Sequence, residues 1–246
     1  MKRAENIRPC SACSREAQLD FTFAFQPIID TQSNQVFSYE ALVRGPEGQG
    51  AAWVLSQVTD SQRHAFDQQS RNAALTLASA LRLGPRININ FMPDAVYEPE
   101  RCVTSTLKVA HELGIPVSSI VFEVTEEYTV DDRQKLVTIF EAYRRIGLKT
   151  AIDDFGAGYS GLALLSEFQP DFVKLDMALI RGIEKNTIKQ TIVRAVTTMC
   201  ESLGSTIIAE GVETNDEAQW LIDSGVTLLQ GYFFGRPKIW TEPATA

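Results

Sequence analysis

Five carboxylates and one amide stand out because each closes, or nearly closes, a short apolar run: Glu40, Asn90, Glu123, Asp153, Asp154 and Glu210. A donor set made only of oxygens suits the hard cations Mg²⁺ or Mn²⁺ better than zinc. So many anions in one place would repel one another unless cations sat among them. More than four oxygens across a broad mouth is enough for two ions, the arrangement that clamps the attacking and leaving oxygens of a phosphoryl displacement. Lys174 occupies a corresponding place in another apolar run. Among carboxylates it is either an ion-pair partner or, beside a water, a group that positions the nucleophile or helps to deprotonate it. Gln230 ends a further run, and Glu213 follows just beyond Glu210. His64 and His111 fall in helical stretches and read as structural. No Ser-His-Asp or Cys-His arrangement accompanies the carboxylates, so covalent acyl chemistry has no support.

The elements that must carry these residues alternate. Residues 21–29 and 36–42 read as strands separated by a turn-rich Asp30-Thr-Gln-Ser-Asn34, and a connection this short allows only an antiparallel hairpin. Thereafter helical patterns over 65–83, 103–113, 132–146, 161–167, 187–203 and 216–223 alternate with strands over 86–91, 119–124, 149–152, 171–175, 206–209 and 226–229. Gly147, Gly204 and Gly225 stand as helix stops. Such alternation means a parallel sheet. Eight strands at this length predict an α/β fold, a closed TIM-like (β/α)8 barrel with one antiparallel strand from the hairpin. In barrels of this kind active sites sit at the C-terminal ends of the strands, where the polar residues fall.

Residues 1–18 are polar and aperiodic and read as a flexible leader or linker, leaving one domain over 19–246. The chain carries 23 Lys+Arg against 31 Asp+Glu, a net charge of −8 that argues against nucleic-acid polymers, which are gripped through a basic footprint. A small phosphate ligand remains open if bound cations neutralise it locally. No apolar run long enough for a membrane span and no secretory signal is present, so no membrane insertion and a cytoplasmic location are expected. Cys10 and Cys13 have the spacing of half a zinc site, but nothing nearby completes four ligands, and they read as a reduced pair in the leader.

Taken in order, the motifs resemble the EAL-domain cyclic di-GMP phosphodiesterases over about residues 20–240. The resemblance rests on Phe25-Gln26-Pro27, Glu40-Ala41-Leu42-Val43-Arg44, Asn88-Ile89-Asn90, Phe122-Glu123-Val124-Thr125-Glu126, Asp153 to Ser160, Lys174-Leu175-Asp176, Ala209 to Thr214 and Gln230-Gly231-Tyr232. A lone Glu-Ala-Leu carries little information; the ordered series carries much. It implies a modified barrel that cleaves one phosphodiester of cyclic di-GMP with a metal-activated water, giving linear pGpG. Glu40, Asn90, Glu123, Asp153, Asp154 and Glu210 would hold Mg²⁺ or Mn²⁺, two ions in all. Glu40, Lys174, Glu213 and Gln230 would carry the catalysis, with Lys174 and Gln230 beside the water and Glu213 holding the lysine ammonium. Gln26, Leu42, Arg44 and Asp154 would contact the dinucleotide, Arg44 on a phosphate, and Pro237 would lie near a guanine. Glu126 would steady the loop after the fifth strand. The resemblance further implies a homodimer and, in a longer protein, an upstream sensor domain. Two departures are visible: Gly161 where many members have serine, and Met177 where arginine is frequent. A catalytically silent cyclic di-GMP receptor is the main alternative, although such relatives lose metal or lysine positions and none is lost here. A barrel hydrolase for another phosphodiester is the remoter one.

Overall fold

The computed structural model describes residues 19–126, 130–158 and 161–241. The leader with Cys10 and Cys13, and Tyr159 and Ser160 of the Asp153–Ser160 motif, lie outside the described residues. The chain begins with β1 (Thr22–Asp30) and β2 (Gln35–Arg44), paired antiparallel as the short connection requires. Asp30 makes the turn by accepting Gln32 N–H and the Ser33 hydroxyl at 3.0 and 2.8 Å, and Asn34 takes φ 53°. Six parallel strands follow: β3 (Ile87–Asn90), β4 (Ile120–Thr125), β5 (Lys149–Phe155), β6 (Phe172–Leu175), β7 (Thr206–Ala209) and β8 (Leu228–Gln230). β8 closes the barrel against β1, again antiparallel.

The expected helices are present as α2 (Arg63–Ala80), α4 (Thr104–Glu112), α5 (Val130–Ile146), α6 (Gly161–Glu167), α8 (Thr187–Leu203) and α9 (Asn215–Asp223). Three short ones, α1 (Ala51–Ser56), α3 (Pro99–Cys102) and α7 (Met177–Ile180), carry too few turns to show a period in the sequence. Local chemistry sets several ends. Asn186 caps α8 through Ile188 and Lys189 N–H, and Gly204 closes it in the left-handed conformation. Thr214 and Glu217 form a capping box on α9.

Of the three apolar clusters among the described residues, Val54, Ala65 and Phe66 form one, and the other two frame the site. The larger fills the space between the strands and the helices. The smaller plugs the barrel itself: Ile28, Val121, Ala151, Phe172, Ile208 and Leu228. A strand returns to the same face every second residue. Two residues from the plug toward the mouth therefore come Gln26, Glu123, Asp153, Lys174, Glu210 and Gln230, each on its own strand or at its end. The barrel interior thus changes from apolar to polar within one layer.

Candidate active site

That polar layer is centred on Lys174, which β6 places fully inside the barrel rather than at its rim. Its Nζ lies 2.7 Å from Glu210, 3.0 Å from Glu123, 3.0 Å from Asp153 and 3.4 Å from Glu40. Burial disfavours the ammonium, but the surrounding carboxylates Asp153, Glu123, Glu210 and Glu40 outweigh it and hold its pKa well above the ordinary lysine value. In this arrangement Lys174 is a proton donor and a fixed positive charge.

Amides hold the carboxylates from the other side. Asn88 Nδ2 donates to Glu123 at 2.6 Å, Asn90 Nδ2 to Glu40 at 3.2 Å, and Gln230 Nε2 to Glu40 at 2.7 Å. Gln230 Nε2 also reaches Gln26 Oε1 at 3.3 Å, and Gln26 donates to Gly235 carbonyl at 3.0 Å. Register explains the set: β1 and β2 align Gln26 with Glu40, β2 and β3 align Glu40 with Asn88, and β3 and β4 align Asn90 with Glu123. Asn88 Oδ1 and Gln230 Oε1 are buried without a hydrogen-bond partner among the described residues.

Asp153 and Asp154 are sequence neighbours, which a regular strand would point to opposite faces. The β5–β6 register shifts between Ile152 and Phe155, and Asp154 takes φ 54°. Left-handed backbone at a non-glycine residue is strained by about 1–3 kcal/mol and gathers at functional sites. Here the irregularity brings both carboxylates to the mouth. Oxygens of Glu40, Glu123 and Asp153 lie within 4.8 Å of one another, as do those of Asp153, Asp154 and Glu210. The two all-oxygen trios share Asp153 and offer donors of the kind that suits hard divalent cations, with the orphaned Gln230 acceptor buried nearby.

Burial raises the pKa of Asp154 to about 6, with Asp153 adding to the effect. Burial likewise raises Glu123, against the pull of Lys174, and holds Glu210 well above the carboxylate range. A carboxyl whose folded pKa is raised stabilises the fold fully below its unfolded value and loses that contribution as pH rises through the folded value. The metal-free protein is therefore expected to lose thermal stability as pH rises from about 4 through about 8, while stabilisation by added Mn²⁺ grows across the same range. Melting temperatures with and without Mn²⁺ check this; a metal-free value rising over that range would contradict it.

Above the cluster opens a cavity of about 540 Å³. Gln26, Glu40, Leu42, Asn90, Asp153, Asp154, Glu210 and Gln230 line it. Its apolar wall, Phe23, Leu55, Phe66 and Met92 among others, was not legible beforehand. Three expected residues are placed differently. Arg44 donates to Val43 carbonyl at 2.8 Å and does not line the cavity; nor does Pro237, beside the segment that bridges to Phe25. Glu213 pairs with Arg181 and not with Lys174, because Lys174 is already enclosed by four nearer carboxylates. Glu126 accepts Gly158 N–H in the loop after β5. A Cβ at Gly161 would lie 2.3 Å from Glu126 and 2.6 Å from the Phe155 ring, so the missing serine leaves room for that carboxylate.

Sequence reasoning missed Asn88, Arg181 and the pair Asp67–Arg71. The last is a buried ion pair at 2.8 Å whose Asp67 accepts Met92 N–H at 2.8 Å, fixing the chain just beyond Asn90. Charges four residues apart on the otherwise apolar face of α2 were the available signal.

The family model described as EAL domain matches residues 12–237. Among curated relatives, the blue light- and temperature-regulated antirepressor BluF of Escherichia coli K12 is 32% identical over 236 residues, covering 96% of this chain and 59% of BluF. The probable cyclic di-GMP phosphodiesterase PdeN of the same organism is 33% identical over 227 residues, 88% of this chain and 43% of PdeN. The chain thus spans about half the length of these relatives. Among solved structures, the cyclic di-GMP-bound form of a standalone EAL protein from Vibrio cholerae O395 is 43% identical, with a TM-score of 0.89 over 93% of this chain and 97% of that one. The manganese and cyclic di-GMP complex of Klebsiella pneumoniae BlrP1 at pH 9.0 is 38% identical, with a TM-score of 0.83 over 94% and 59% of the two chains.

Proposed function

The chain belongs to the EAL domain family, and on that premise we propose that it is a phosphodiesterase that opens cyclic di-GMP to linear pGpG with Mg²⁺ or Mn²⁺ at its acidic cluster. The observation that carries the reading is the pair of carboxylate trios sharing Asp153, packed around Lys174 at the floor of a cavity of about 540 Å³. A cavity of this size suits a small-molecule ligand and not a polymer. Glu40, Asn90, Glu123, Asp153, Asp154 and Glu210 would hold the ions, which when bound supply charge neutralisation at the scissile phosphate and a more acidic water.

The chain's own groups do the rest. Lys174 offers a fixed positive charge and N–H donors where negative charge develops. Gln230, held by Glu40 and Gln26, presents its free oxygen as an acceptor for a water proton. The apolar wall excludes water and accepts the faces of the bases. Glu126, through Gly158, steadies the loop that carries Asp154.

Incubating the protein with cyclic di-GMP and Mn²⁺ or Mg²⁺ is expected to release pGpG, seen by chromatography. Binding without turnover in either metal would replace this reading with that of a silent receptor. One observation favours that second reading: BluF, a relative over almost the whole chain, is named an antirepressor and not an enzyme. A homodimer and an upstream sensor belong to the same proposal, and light scattering of the purified chain tests the first. Among the described residues no helix is long and apolar enough to cross a membrane.

A further inference from the structure

A buried ion pair stands on α2, apart from the acidic cluster. Asp67 is 3% exposed and Arg71 1%, and Oδ2 of the one lies 2.8 Å from Nη2 of the other. Taking two charges out of water can cost more than their attraction returns, and apolar residues of like shape often serve a fold as well or better. Stability alone therefore does not account for the pair, whereas its contacts do.

Each partner reaches a segment that leads to the site. β3 ends at Asn90, so the amides beyond it leave the regular ladder. Phe91 N–H goes to Glu123 carbonyl at 3.1 Å, and the next amide, Met92 N–H, goes to Asp67 Oδ1 at 2.8 Å. Arg71 in turn fixes Asp67. Its Nε donates to the Asp67 carbonyl at 3.3 Å and its Nη2 to the Cys102 carbonyl of α3 at 3.3 Å. Its guanidinium also lies 5.5 Å from the centroid of the Phe122 ring, one residue before Glu123. Phe122 packs in turn against Tyr143 of α5 and against Phe91, with centroids 5.1 and 5.7 Å apart. Asn90 itself is exposed at the mouth, and its bond to Glu40, at 3.2 Å, is at the long end of the range. Its placement therefore depends on how the backbone just after it is held.

We propose that Asp67, fixed by Arg71, is a positioning residue that sets Asn90 against Glu40 and so governs cation affinity on that side of the cluster. This role rests on the metal-dependent reading above. Asp67 and Met92 both line the cavity, so without the carboxylate the Met92 amide turns to water and Asn90 loses its fixed backbone.

Calorimetric Mn²⁺ titrations and metal-free melting curves of the full chain separate position from stability. Asp67→Leu/Arg71→Met removes both charges and nearly keeps their shape, so it is expected to melt at or above the wild-type temperature. Its Mn²⁺ affinity is expected to fall about 10- to 100-fold, the size of losing a partner behind a metal ligand, and turnover at fixed Mn²⁺ falls with it. Asp67→Asn does the reverse. Its Oδ1 still accepts Met92 N–H, so Mn²⁺ affinity stays near wild type, while Arg71 becomes an unpaired buried charge and the melting temperature drops. In an Asn90→Ala background the pairless replacement costs no further Mn²⁺ affinity, as expected of residues that act through one another. Affinity that tracks melting temperature across the variants, unchanged affinity in the pairless variant, or an equal loss in the Asn90→Ala background would each overturn the role. So would a pairless variant that does not fold. Wild-type protein that binds no Mn²⁺ overturns this role and the metal-dependent reading together. Mn²⁺ binding without hydrolysis of cyclic di-GMP overturns only the phosphodiesterase reading.

Discussion

Replacing Lys174 with methionine is expected to lower hydrolysis of cyclic di-GMP by about 10²- to 10⁴-fold, the range for losing a positioned proton donor or charge stabiliser. Its effect on metal binding should run the other way. Without metal, the ammonium is the cation that keeps Glu40, Glu123, Asp153 and Glu210 together. Removing it leaves Mn²⁺ as the only available counter-charge, so Mn²⁺ affinity is expected to hold or rise while turnover collapses. The same loss leaves Glu123 buried with only Asn88 as a partner. Breaking a buried pair in this way costs about 3–5 kcal/mol, so the metal-free variant should melt well below wild type and recover when Mn²⁺ is added. Calorimetric Mn²⁺ titration beside initial rates separates the two effects. A lysine variant that loses metal affinity along with turnover would make Lys174 a support for ligand geometry instead.

Asp153→Asn is expected to be as severe for turnover, by the opposite route. Asp153 alone belongs to both carboxylate trios, so if two ions bind as proposed its neutralisation weakens both sites at once, whereas Glu40→Ala touches one. Mn²⁺ affinity should fall by more than the roughly 10- to 100-fold typical of losing an outer-shell partner. Glu40→Ala should keep a tight site on the Asp153, Asp154 and Glu210 side. The stoichiometry of Mn²⁺ titrations distinguishes these outcomes. Equal residual stoichiometry in the two variants would contradict the shared position of Asp153. The fold itself is expected to tolerate Asp153→Asn, because the substitution is isosteric and removes one of several mutually repelling charges.

Much of this site was legible in the chain because a strand's period is short and rigid. Val121-Phe122-Glu123, Phe172-Val173-Lys174 and Leu228-Leu229-Gln230 each place an apolar residue and a polar one two steps apart, hence on one face. Alternating strands and helices then leave a parallel barrel as the arrangement that brings those faces together. The strand limits were less legible. β5 runs to Phe155 and not to 152, because the bulge at Asp153–Asp154 interrupts the alternation that marks a strand in sequence. The short α7 that carries Arg181 to the mouth offers no period at all.

What the sequence determined by itself is what depends on neighbours along the chain: the hairpin, the order of elements, and which carboxylates share a face with the barrel plug. What only the tertiary structure decided is what depends on approach between distant segments. Glu213 lies near Lys174 in the implied site, yet it pairs with Arg181, since four carboxylates from β2, β4, β5 and the end of β7 reach the ammonium first. Arg181, which nothing along the chain singles out, lines the cavity. Residue type and spacing state which charges a fold must bring together; coulombic partnership falls off with distance in space, and distance in space is set by the closed barrel.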